Sequence, residues 1–228
     1  YFERLASVTK AAPVIAIDGP SASGKGTVAA RVAAAVGFGY LDSGALYRLT
    51  ALSAKQAGVD WADETGVASI AAALDVEFSE SDIRLNGLLV GDAIRTEEIS
   101  AGASQVAALP AVRDALLFRQ RVFNKLPGLV GAGRDMASVV FPQAPRKGFL
   151  TARAEGRAER RYKQLINKGL SANLPDLLLD LQQRDKRDSL RSVAPLRQGQ
   201  DAKLLDTTEL TIEEAVNQVL LWSKEALS

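Results

Sequence analysis

The chain has 228 residues, 47% of them hydrophobic, a net charge of +1, and neither cysteine nor histidine. That length supports one substantial core, no apolar run approaches the ~18 residues of a membrane span, and near-neutral charge argues against a nucleic-acid coat. Composition excludes disulfides, thiol nucleophiles, imidazole bases and ordinary zinc sites, which leaves Lys, Arg, Asp, Ser, main-chain amides and a hard cation to carry any chemistry.

Residues 1–11 begin without Met and are read as a tail outside the fold. No basic, apolar leader opens them, so a cytoplasmic protein is expected. The run Val14-Ile15-Ala16-Ile17 predicts a strand that enters Gly19-Pro20-Ser21-Ala22-Ser23-Gly24-Lys25-Gly26-Thr27. A strand, a glycine-rich turn and a helix in that order gather main-chain N–H groups, the positive helix end and a lysine around phosphates. The spacing is that of a phosphate loop, although Gly26 stands where the strict pattern has Ser or Thr, and Thr27 follows one place later. Residues 24–36 read as the helix, with Val28, Ala29, Val32, Ala35 and Val36 at its apolar positions. Tyr40-Leu41 is a second strand, delivering Asp42-Ser43-Gly44 to a helix that ends near Gly58. Strand and helix alternating through short loops point to a parallel sheet wrapped by helices.

The pattern then changes. Leu74, Val76 and Phe78 alternate with polar residues, as do Ile83 and Leu85, and Asn86-Gly87 is a strong hairpin signal before Leu88-Leu89-Val90. This predicts a small antiparallel meander inserted in the α/β core. From Thr96 the chain is helical, Pro110 dividing two segments of which the second covers about 111–123. Leu129-Val130 predicts a core strand with Gly133-Arg134-Asp135 at its carboxyl end, and Phe149-Leu150 another, weakened by Gly148. Helices are expected over 155–166 and 174–187, a last strand over 203–205, and a final helix from a Thr211/Glu214 capping box to near Leu227.

Several polar groups fall at predicted strand ends, where open parallel sheets take ligands. By themselves, Asp42 and Ser43 read as a helix cap, and Gly133-Arg134-Asp135 equally as a turn with a satisfied ion pair. Arg184, Arg187, Asp188 and Arg191 share one helical face, and Arg157, Arg160 and Arg161 cluster; either run also fits a solvated helix. The first 114 residues carry a charge of −5 and the remainder +6. An arginine-rich half facing a phosphate loop suits a polyanionic small ligand, and ordinary solvated faces account for the charge equally well.

Taken in order, the phosphate loop, Leu41-Asp42-Ser43-Gly44-Ala45-Leu46-Tyr47-Arg48, Arg95-Thr96-Glu97, Ala103-Ser104-Gln105-Val106-Ala107, Pro110-x-Val112-Arg113, Gly133-Arg134-Asp135 with Val139-Val140-Phe141-Pro142, and Arg184-Asp185-x-x-Asp188-x-x-Arg191 resemble bacterial cytidylate kinases over about 13–222. The resemblance implies a P-loop three-layer fold: a core of 12–42, 108–154 and 192–228, a nucleoside monophosphate-binding region over 43–107 with the meander at about 63–95, and a helical lid over 155–191. It implies ATP held by Gly19 to Thr27 with Arg157 and Arg161, and CMP or dCMP surrounded by Ser43, Tyr47, Arg48, Ser104, Arg113, Arg134, Asp135, Arg184, Asp188 and Arg191. Lys25, Arg134, Asp135, Arg184 and Arg191 would act in catalysis, with Mg²⁺ held mainly through the ATP phosphates and water, in a monomer without nucleic-acid or membrane partners. Gly-Lys-Gly-Thr is itself common in nucleoside monophosphate kinases. Ala132, Ala137, Gln143 and Gly148 depart from the family pattern, Ala132 replacing an acidic residue. The alternatives are a kinase for UMP, AMP or a non-nucleotide acceptor such as shikimate, and a nucleotide-bound regulatory module. Asn124-Lys125 and Asn167-Lys168 lack the Asp of a guanine-binding motif.

Overall fold

Strand β1 (Val14–Asp18) is buried along its whole length, and the alternation of its side chains serves two separate cores. Val14 and Ala16 belong to one, Ile15 and Ile17 to the other. The computed structural model describes residues 12–78 and 82–224; the tail read over 1–11 and the helix end near Leu227 lie outside them.

After β1 come α1 (Lys25–Val36), β2 (Gly39–Asp42), α2 (Ser43–Gln56) and α3 (Glu64–Ala73). A small antiparallel sheet of β3 (Val76–Phe78), β4 (Ile83–Leu85) and β5 (Leu88–Leu89) precedes a 3-10 turn at Ala93–Arg95, α4 (Glu97–Val106) and α5 (Pro110–Val122). β6 (Leu129–Gly133) runs into a π-helical turn at Met136–Val140, followed by β7 (Arg146–Thr151), α6 (Ala154–Asn167), α7 (Leu174–Leu190), β8 (Lys203–Asp206) and α8 (Ile212–Lys224).

The main sheet has the order β2-β6-β1-β7-β8, with every neighbouring pair parallel. Side chains of α1 and α8 fill the core on the Ile15 face, and those of α2 to α5 fill the core on the Val14 face. The result is the expected three-layer α/β fold with an inserted meander. β1 is central, so the chain departs from it to both sides, which opens a crevice beyond its carboxyl end. Register sets Asp18 beside Gly133 and Phe149, and Asp42 beside Ala132. The carboxyl ends that meet at the crevice are therefore those carrying the candidate residues.

Local chemistry explains most boundaries. The Asp42 carboxylate caps α2 by accepting from the Ala45 amide at 3.1 Å. Thr211 and Glu214 form the expected box at α8, the Thr211 hydroxyl accepting from the Glu214 amide at 3.2 Å and Glu214 accepting from the Thr211 amide at 2.8 Å. Asn86 and Gly87 both take positive φ, 51° and 77°, as a tight hairpin turn requires.

Two expectations need correction. The stretch 64–73, read as the start of the meander, is helix α3. Its apolar side chains are small, but the Asp63 carboxylate accepts from the Gly66 amide at 3.0 Å, and Val67 and Ala71, one turn apart, pack inward. Gly148 does not weaken β7, which runs unbroken through it between Ile17 and Lys203. The Trp222 ring occupies the space its side chain would take: a Cβ at this position would lie 3.3 Å from that ring.

Leu46 is fully buried on α2 against this core. Leu46→Ala should lower stability by about 2–5 kcal/mol through lost burial and a residual cavity, read as a lower urea midpoint with unchanged slope.

Candidate active site

The loop between β1 and α1 is folded as its sequence suggests. Gly19 lies so close to β7 that a Cβ there would sit 2.0 Å from the Leu150 carbonyl oxygen. Gly24 opens α1 at φ 87°, a conformation that L side chains avoid. The Lys25 ammonium folds back to donate to the Pro20 carbonyl at 3.2 Å, and the buried Ser23 hydroxyl has no partner. Two side chains from later in the chain support the loop. The Thr207 hydroxyl donates to the Ser23 carbonyl at 3.0 Å, and the Arg157 guanidinium, on α6, donates to the Ser21 carbonyl at 3.0 Å.

Opposite the loop, nine of the ten expected acceptor residues line one pocket. Ser43 and Tyr47 enter from α2, Ser104 from α4, Arg113 from α5, and Arg134 and Asp135 from the turn after β6. Arg184, Asp188 and Arg191 enter from α7 and its end. Arg113 is paired with Asp135, donates to the Ala107 carbonyl at 3.0 Å, and lies 5.5 Å above the Tyr47 ring. Asp188 is buried and pairs with both Arg134 and Arg191. Burial alone would raise its pKa, but Arg134, Arg191 and Arg184 outweigh burial and hold the carboxylate below its usual range. The Ser104 hydroxyl and the Arg184 Nε are buried without a partner.

The tenth residue, Arg48, joins a cationic group between loop and pocket. Lys25 is pushed down to about 7 by burial and then by Arg134, with Arg184 and Arg48 adding to the effect against Asp42. Burial, Arg134 and other arginines also lower Arg48, and Arg184 is lowered by burial, Arg134 and Arg48. The Arg48 Nε is buried and unpaired. Cations crowded in this way, with amides and hydroxyls left open beside them, form a receptor for several phosphate charges at once.

The remaining arginines divide. Arg157 pairs with Asp185 as well as the loop. Arg161, one turn later, pairs with Glu97 and donates to the Arg95 carbonyl at 2.9 Å, so it stands at the acceptor side of the crevice. Arg160 is spent on the Thr207 hydroxyl and the carbonyls of Thr207 and Thr208, and Arg187 is exposed outside the pocket.

Sequence reading missed two residues that hold this site. Asp18, at the end of β1, accepts from the Met136 amide at 2.8 Å and the Ala137 amide at 2.9 Å, and so clamps the turn that presents Arg134 and Asp135. Burial raises its carboxyl to about 7 despite those amides. Ala132 lies in the core, paired with Ile17, the residue before Asp18. Gln120, fully buried on α5, accepts from the Ser43 hydroxyl at 2.6 Å. A carboxylate ending an apolar strand, and a glutamine one turn after Leu116 on a buried face, were the available signals.

A glycine-lined phosphate loop facing crowded cations, with a polar pocket across the crevice, defines a P-loop phosphotransferase. A profile described as cytidylate kinase matches residues 15–225. The cytidylate kinase of Chromobacterium violaceum is 63% identical over 213 residues, covering 93% of this chain and 96% of that protein. That of Cupriavidus necator is 60% identical over 209 residues, covering 92% and 94%. The chain belongs to the cytidylate kinase family. Among solved structures, an uncharacterised protein from Eubacterium ventriosum superposes with a TM-score of 0.51 at 11% identity, covering 93% of this chain and 98% of its own, a likeness of fold alone.

Asp18→Ala leaves two buried amides without acceptors. Urea unfolding should show a loss of about 1–3 kcal/mol, with a fall in turnover as the Arg134 turn loosens.

Proposed function

We propose that the protein transfers the γ-phosphoryl group of ATP to CMP or dCMP, giving ADP and CDP or dCDP. The observation that carries this reading is the crowding of Lys25, Arg48, Arg134 and Arg184, only partly offset by Asp42 and Asp188, between the phosphate loop and a pocket of serines and aspartates. Membership of the family adds the acceptor's identity.

Residues 19–27 would cradle the triphosphate, with Arg157 approaching from α6 and Arg161 joining it once released from Glu97. Ser43, Ser104, Asp135 and Asp188 would read the base and sugar, and the arginines would hold the acceptor phosphate. The nucleophile is an oxygen of that phosphate, whose second pKa is about 6 by analogy with other phosphate monoesters, so it needs no general base near neutral pH. The new bond joins that oxygen to Pγ as the Pγ–O–Pβ bond breaks and the electron pair leaves on ADP. Two facing unit charges at 4 Å repel by about 4 kcal/mol at an effective dielectric of 20. Lys25 and the arginines offset this repulsion and stabilise the charge spread over the equatorial oxygens. α6 and α7 would form the lid that excludes water as a competing acceptor.

No three acidic side chains converge among the described residues. A Mg²⁺ carried mainly by nucleotide phosphates and water would, when bound, supply positive charge to the phosphates. Among the described residues no helix is long and apolar enough to cross a membrane.

An ADP-release assay across CMP, dCMP, UMP and AMP tests the reading: CMP and dCMP should lead, and Lys25→Ala should lower turnover about 100-fold or more. Equal use of all four acceptors, or near-normal turnover in the variant, would count against it. Tight nucleotide binding without acceptor-dependent turnover would favour a regulatory module instead.

Lys25 also gives a pH signature. Its ammonium is lowered to about 7, and an incoming triphosphate raises it again, so binding must take up protons. Calorimetry in buffers of different ionisation enthalpy should show uptake approaching one proton at about pH 8 and far less in Lys25→Met.

A further inference from the structure

Gln120 is fully buried on α5 and is not part of the pocket lining, yet it touches two residues that are. Its Oε1 accepts from the Ser43 hydroxyl at 2.6 Å, and its side chain lies near enough to the Tyr47 phenol to lower that group's pKa against the rise from burial. The Ser43 bond and full burial restrain this amide. Ser43 itself is buried.

A serine hydroxyl has one proton and two lone pairs. Here the proton points back into the protein, at Gln120. What Ser43 shows the pocket is therefore acceptor only. Its neighbours follow the same polarity. The Asp135 carboxylate is an acceptor, and Arg113 already commits donors to Asp135 and to the Ala107 carbonyl.

Tyr47 and the phosphate-loop lysine feel different charges most strongly. The charges acting on Tyr47 are those of Arg113, Asp135 and Arg191, while Lys25, Arg48, Arg134 and Arg184 act on one another. Arg113 over the Tyr47 ring also offers a flat surface suited to a planar base. Resting on the nucleotide-kinase reading above, we infer that Gln120 is a positioning residue for acceptor specificity, which fixes the Ser43 hydroxyl so that it accepts from an exocyclic amine and opposes a ring carbonyl. A cytosine amino group satisfies the Ser43 lone pair. A uracil carbonyl at the same place brings lone pair against lone pair, and the buried oxygen stays unpaired. The discrimination is thus imposed by a side chain that never contacts the substrate.

The test is steady-state kinetics with CMP and UMP on the wild type, Gln120→Met, Ser43→Ala and the double variant. Methionine preserves length while removing the acceptor, which frees the Ser43 hydroxyl to donate to a carbonyl. Gln120→Met should lower the CMP-to-UMP ratio of kcat/KM by about tenfold or more, chiefly through KM, with kcat for CMP little changed. Ser43→Ala should lower the ratio comparably, and the double variant should lose no more than Ser43→Ala alone. A purely structural Gln120 would reduce both acceptors in equal proportion, and that result overturns the inference. Should Gln120→Met fail to fold, an unaltered ratio in Ser43→Ala overturns it as well. A wild type that uses neither pyrimidine overturns the nucleotide reading along with it, whereas a CMP-preferring wild type with an indifferent Gln120→Met overturns the inference alone.

Discussion

Like charges forced together out of bulk water are the constraint on which the rest of the molecule depends. Lys25, Arg48, Arg134 and Arg184 come from four different elements and meet at one edge of the parallel sheet. Left to themselves such groups would separate into solvent, because each close pair costs a few kcal/mol even at a moderate effective dielectric. Lys25 and Arg48 are carried by helices packed on the two apolar cores either side of β1, and Arg134 by the turn after β6, whose register with β1 is fixed. The repulsion is stored against the moment a polyanion arrives. Ligand affinity and structural tension at this edge are therefore one quantity seen from two sides.

The acids around the site offset only part of that tension. Asp188 neutralises Arg134 and Arg191 from the pocket side, and Asp135 neutralises Arg113. Asp18 spends both oxygens on backbone amides and not on a cation. A chain without histidine can manage this chemistry, since phosphoryl transfer between nucleotides asks for charge and placement, not for a proton carrier.

Much of this was legible in the sequence, and the exceptions share a cause. The phosphate loop, the strands that feed the crevice and the Thr211 box are local features, written in contiguous residues with a mechanism attached to each. Ser43, Arg113, Asp135 and Asp188 become meaningful only as an ordered set, because each alone is an ordinary cap or ion pair. Helix α3 is hard to see because Gly66, Ala68, Ala71 and Ala72 give a weak apolar rhythm, and its N-cap at Asp63 looks like any turn residue. Asp18 and Gln120 act across 118 and 77 positions of sequence, on amides and a hydroxyl that no spacing rule links to them. Gly148 misleads because a missing side chain counts against a strand by propensity, whereas Trp222 supplies the packing from elsewhere.

Helix α6 carries two arginines one turn apart that reach opposite banks of the crevice. Arg157 holds the Ser21 carbonyl of the phosphate loop, and Arg161 holds Glu97 and the Arg95 carbonyl. Both grips ride on a single stiff rod, so neither bank can shift without tugging the other. The helix thus behaves as a mechanical crossbar between the phosphate loop and the bank that carries Arg95 and Glu97.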